Sequence, residues 1–98
     1  MNAMKFEIVP LKWQNNEWKF VGESYGEYPK TAKQALERAK HLAKRDRIAV
    51  RVIVCDTEEG YSSYIGDCQV NPDSTIEYCM GNGIVPDSTI QRMFGLRK

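Results

Sequence analysis

The chain has few of the residues from which catalytic or metal chemistry is built. Histidine occurs once, as His41, and cysteine three times, as Cys55, Cys68 and Cys79, with no Cys-x-x-Cys pair. A compact zinc site needs clustered ligands, which this spacing does not supply. Nucleophilic or acid–base catalysis needs a nucleophile, a base and an orienting acid in one constellation. His41 falls on the solvent side of a helical pattern, with only Glu37 one turn before it. Gly81-Asn82-Gly83 lacks the strand, lysine and helix of a phosphate loop, and Tyr61-Ser62-Ser63-Tyr64 lacks a nucleophile elbow. No apolar run approaches the roughly 20 residues of a membrane span. Met4-Lys5 passes directly into strand alternation and not into a signal-peptide apolar region. The expectation is a non-enzymatic protein with no cofactor, no metal and no membrane partner. The odd cysteine count implies reduced thiols and a cytoplasmic setting, with one disulfide and one free thiol as the alternative.

What is present is the composition of an ordinary folded domain, 42% hydrophobic and 28% charged over 98 residues. That length predicts one domain over residues 4–98, with Met1–Ala3 as a leader or upstream start. The net charge of +1 hides a dipole. Residues 30–51 hold eight basic and two acidic side chains, a local +6, whereas residues 52–98 are at −4.

Phe6 and Ile8 alternate with polar residues as in a half-buried strand. Pro10 cannot donate to a ladder, which predicts an edge or a bulge there, and beyond it the apolar parity flips to Leu11 and Trp13. Asn15-Asn16 suits a two-residue hairpin turn that sets Trp13 opposite Trp18. Thr31-Ala32-Lys33-Gln34 is a capping-box pattern. After it, Ala32, Ala35, Leu36, Ala39, Leu42 and Ala43 form one stripe at helical spacing, narrow enough for close packing on a sheet. Ile48 to Cys55 is β-branched and apolar on parts of both faces, hence a central strand, and Tyr61 to Val70 is its hairpin partner. Pro72-Asp73-Ser74-Thr75-Ile76 recurs as Pro86-Asp87-Ser88-Thr89-Ile90. Each copy places Glu77 or Gln91 three residues after Ser and a glycine where a helix would stop, which predicts two short helical turns, with Ile76–Met80 as a fifth strand the rival. The fold expected is α+β: two β-hairpins in one sheet, a single long helix over about residues 32–45 on one face, and short helical turns at the C-terminus.

Two surfaces are candidates for binding. The first is the helix, where Lys33, Lys40 and Lys44 project on one flank of the stripe and Arg38 and Arg45 on the other, with Arg47 and Arg51 extending the basic run. That pattern suits phosphate contacts with a nucleic acid or nucleoprotein. The second is the aromatic set Trp13, Trp18, Tyr25, Tyr28, Tyr61 and Tyr64, more than one helix can cover. Such residues, or an edge strand near Pro10, would serve a protein partner or a homodimer.

The hairpin followed by Thr31-Ala32-Lys33-Gln34-Ala35-Leu36-Glu37-Arg38-Ala39-Lys40 resembles HicB-type antitoxin half-domains, which implies a module that binds and blocks an RNA-cleaving toxin. The order of Trp strand, Ala-rich helix and β-branched strand ending near Asp56 also resembles short bacterial domains of unknown function. In size and lack of catalytic residues the chain is similar to small phage and plasmid inhibitors, anti-CRISPR proteins among them. The function expected is a small binding module for a nucleic acid or nucleoprotein, with a protein-binding inhibitor as the alternative.

Overall fold

The computed structural model describes residues 4–57 and 62–96. The elements are β1 (Met4–Gln14), β2 (Glu17–Phe20), α1 (Ala32–Asp46), β3 (Val50–Asp56), β4 (Ser63–Val70), β5 (Ile76–Gly81) and α2 (Asp87–Met93). The strands form one antiparallel sheet in the order β2-β1-β3-β4-β5. β2 and β3 both run antiparallel to β1, so they are parallel to each other, and α1 carries the chain across β1 between them.

The hairpin forms as its residues dictate. Asn15 and Asn16 both take positive φ, 52° and 64°, and Trp13 stands opposite Trp18 with ring centroids 5.2 Å apart, edge to face. Thr31 caps α1, its hydroxyl accepting from the Gln34 amide at 3.1 Å. The helix ends without glycine: Arg47 itself adopts the left-handed conformation, φ 57° and ψ 42°. Ala32, Ala35, Leu36, Ala39, Leu42 and Ala43 are buried against Phe6, Ile8, Val50, Val52, Val54 and Val70. Ile90 and Phe94 join the same core, and Phe94 meets Phe6 edge to face. Both helices therefore lie on one face of the sheet. Val9, Leu11 and Ala49 are also fully buried but lie outside that cluster.

Three expectations are corrected. Residues 76–81 are a fifth strand and not a helical turn. The two copies of the pentapeptide differ because their surroundings differ. Ser74 takes φ 73° and donates its hydroxyl to the Lys40 carbonyl of α1, so the first copy is a turn pinned under the helix. The second copy opens α2 with Pro86 at the N-cap and no side-chain cap, while Asp87 accepts from the Gly81 amide. Gly95, at φ 74°, is the helix stop expected of it; Gly81 ends β5 instead.

Pro10 lies in β1, the second strand in the sheet order, with no bulge in its pairing, and the edge expected there is only local, since β2 pairs with Leu11–Gln14 alone. The Leu11 amide donates toward β3, to Ala49, whereas the Ile8 carbonyl accepts from Tyr25 on the opposite side. By alternation the Pro10 nitrogen faces away from β3, before the pairing with β2 begins at Leu11. An interior strand thus tolerates proline because no ladder bond is required there.

The thiols are the third correction. Cys68 and Cys79 stand directly opposite each other on β4 and β5 and are joined as a disulfide, while Cys55 is free. The all-reduced reading gives way to the one-disulfide alternative, and with it goes the argument for a cytoplasmic setting. Among the described residues, no helix is long and apolar enough to cross a membrane.

Candidate functional site

The basic helix does not present its six charges as one surface. Arg38 makes a two-pronged contact with Glu27, Nε to Oε1 at 2.7 Å and Nη2 to Oε2 at 3.1 Å. Arg45 grips Asp46 in the same way, at 2.7 and 2.9 Å, and the Tyr25 hydroxyl donates to Asp46 at 2.8 Å. The Arg38–Glu27 and Tyr25–Asp46 bonds fasten the 21–30 segment to the helix, and the Tyr25 amide ties it to Ile8 of β1. Lys5 adds a cation–π contact with the Tyr28 ring, 4.6 Å to its centroid. The electrostatics agree: hydrogen bonds from Arg45 first, then Tyr25, hold the Asp46 carboxyl down at about 2, and Arg38 lowers that of Glu27. Four of the expected contact residues, Tyr25, Tyr28, Arg38 and Arg45, are thus engaged by partners within the chain.

Lys33, Lys40 and Lys44 are left on the other flank, in no ion pair among the described residues. Arg47 is exposed at the helix end. Arg51 does not extend this surface. It lies on the opposite side of the sheet, with Nη2 donating to Gln69 at 2.9 Å and Nε 3.4 Å from Asp67.

That helix-free face collects most of the exposed aromatic surface. Strand alternation puts Leu11 and Trp13 of β1, Trp18 and Phe20 of β2, Arg51 and Ile53 of β3, Tyr64, Asp67 and Gln69 of β4, and Tyr78 and Met80 of β5 on it. Trp13, Phe20, Tyr64 and Met80 are 57%, 51%, 47% and 41% exposed, and Trp18 is half-buried. At the centre sits Asp67, buried, accepting from the hydroxyls of Tyr64 and, at 2.6 Å, Tyr78. Burial first, then that hydrogen bond and the carboxylate charge, push the Tyr64 phenol up to about 12 and the Tyr78 phenol higher still.

No family model, curated protein or solved structure matches this chain.

Of the expected aromatic set, Trp13, Trp18 and Tyr64 share this face, Tyr25 and Tyr28 belong to the fastening segment, and Tyr61 lies outside the described residues, as do Met1–Ala3, for which a leader or upstream start is expected. The sequence candidates did not include Phe20, Met80 or the Arg51–Asp67–Tyr78 cluster. Phe20 was legible, since it shares the parity of Trp18. The cluster was not, because its members come from three strands whose pairing no local pattern declares.

Proposed function

We propose that the chain is a non-enzymatic protein-interaction module whose helix-free sheet face receives the partner. The observation that carries this reading is the exposure of Trp13, Phe20, Tyr64 and Met80 on a face to which neither helix packs. Tryptophan and tyrosine dominate binding hot spots because they remove a large area from water at small conformational cost. The charge at the centre of the face is already matched, Arg51 against Asp67, so it offers little to a phosphate backbone. An inhibitor, antitoxin-like or directed at a defence protein, is the form of such a module that the likeness in size and element order favours. A second reading, contact with an anionic partner, rests on the flank of Lys33, Lys40 and Lys44, which are in no ion pair among the described residues.

The test is quantitative affinity capture from the source cells with three baits of equal thermal stability: the parent chain, Trp13→Ala/Phe20→Ala, and Lys33→Glu/Lys40→Glu/Lys44→Glu. A protein retained by the parent and by the lysine variant but lost with the aromatic variant supports the sheet face. Retention that survives the aromatic variant and fails with the lysine variant overturns it in favour of the second reading.

A further inference from the structure

The two ends of the sheet are treated differently. The outer edge of β5 is closed by α2: Asp87 accepts from the Gly81 amide at 2.9 Å, and the Gln91 side chain donates to the Cys79 carbonyl at 3.2 Å. The outer side of β1 is occupied at Ile8 by the Tyr25 amide. β2 has no such cover. Its two-residue loop, with positive φ at Asn15 and Asn16, is closed by a hydrogen-bonded Gln14–Glu17 pair, which makes Trp13–Trp18 a non-hydrogen-bonded pair. Trp18 and Phe20 therefore turn their backbone N–H and C=O outward, and among the described residues nothing bonds to them. Outward groups of this kind are the template on which another strand pairs.

We propose that the occupant is a second copy of this chain, docked antiparallel along β2 with the two Trp18 residues facing each other across a two-fold axis. The proposal goes beyond partner capture and does not depend on it. The register follows from charge. Only registers that oppose the outward residues Trp18 and Phe20 can form bonds. Centring the axis on Lys19 would set Lys19 against its own copy, and centring it on Phe20 would set Glu17 against Glu23. Centring it on Trp18 sets Glu17 against the Lys19 of the other copy, twice. Glu17 and Lys19 share one face, Glu17 exposed and Lys19 partly so. Within one chain Lys19 stands directly opposite Lys12 and among the described residues has only Glu17, at 3.6 Å, as its counter-ion, whereas Lys12 has Glu23. The second copy supplies each Lys19 with a cross-strand carboxylate. On the other face it brings two edge-to-face Trp13–Trp18 pairs to the axis.

Sedimentation equilibrium of the purified chain tests this, from micromolar to about 1 mM, a range that reads affinities down to about −4 kcal/mol. The weight-average mass should climb from the 11.3 kDa of one chain toward twice that value. Glu17→Lys and Lys19→Glu, each alone, should weaken association roughly tenfold, since each places like charges opposite each other twice. Glu17→Lys/Lys19→Glu in one chain should restore it. So should an equimolar mixture of the two single variants, in which every cross-strand pair is again of opposite sign. A chain that stays monomeric at the highest concentration overturns the proposal. A dimer indifferent to the single reversals, or a mixture no more associated than its components, overturns it equally.

Discussion

Arg47 holds a conformation that its side chain does nothing to favour. At φ 57° and ψ 42° its Cβ crowds the following carbonyl, a cost of about 1–2 kcal/mol that glycine avoids. Part of the gain from glycine is offset by the wider freedom of the unfolded chain. Arg47→Gly should therefore stabilise the protein by about 0.5–1 kcal/mol in urea unfolding. The tyrosines around Asp67 make an opposite kind of statement. Tyr64 is pushed up to about 12 and Tyr78 further, by burial first and then by their bonds to the Asp67 carboxylate. In the unfolded chain both lose their protons near the ordinary phenol value of about 10. A raised folded value favours folding fully below about 10, and that contribution drains away as the pH climbs toward 12. Stability measured from pH 8 upward should fall across this window, and Tyr78→Phe should flatten the fall; an unchanged slope would dissociate the cluster from it.

Among elements, the local ones were legible in the sequence and the partnered ones were not. Thr31 and Gln34 announced α1, the Ala–Leu stripe announced its buried side, and Asn15-Asn16 announced the first hairpin; each signal is complete within a few neighbouring residues. The repeated pentapeptide could not be read this way. One copy is a turn because Lys40 of α1 accepts from Ser74, and the other starts a helix whose side chains close the edge of β5. Identical local preferences were resolved by different tertiary neighbours. β5 is also fastened to β4 by the buried Cys68–Cys79 pair. Closing a loop of eleven residues' separation reduces unfolded-state entropy by an amount worth about 2–3 kcal/mol. Reduction should lower unfolding stability by about that much. Amide exchange should accelerate in β5 and α2 more than in β1 and β3, which hydrogen exchange with and without reductant will show.

For the whole molecule, the charge dipole of the sequence survives folding in reduced form. Arg38 and Arg45 are consumed by Glu27 and Asp46, and the flank of Lys33, Lys40 and Lys44 keeps a local positive field. Lys33, Lys40, Lys44 and the exposed Arg47 can displace about four counter-ions, so any binding to short DNA or RNA should show a log–log salt slope no steeper than about −4 and vanish near physiological salt. A slope near −6 would mean that the arginine pairs open on binding and that the full basic run is the interface.

The sequence by itself determined the α+β class, the capped helix with its alanine stripe, the tryptophan hairpin and the central β-branched strand. All of these depend on periodicity, capping and turn chemistry, which act over short stretches of chain. Tertiary structure decided the rest. It brought Glu27 to Arg38 and Tyr25 to Asp46, turned Arg51 away from the helix toward Asp67, paired Cys68 with Cys79, and left β2 as the uncovered edge. Those outcomes depend on which strands become neighbours, a choice made by burial of the whole apolar surface at once and written in no single segment.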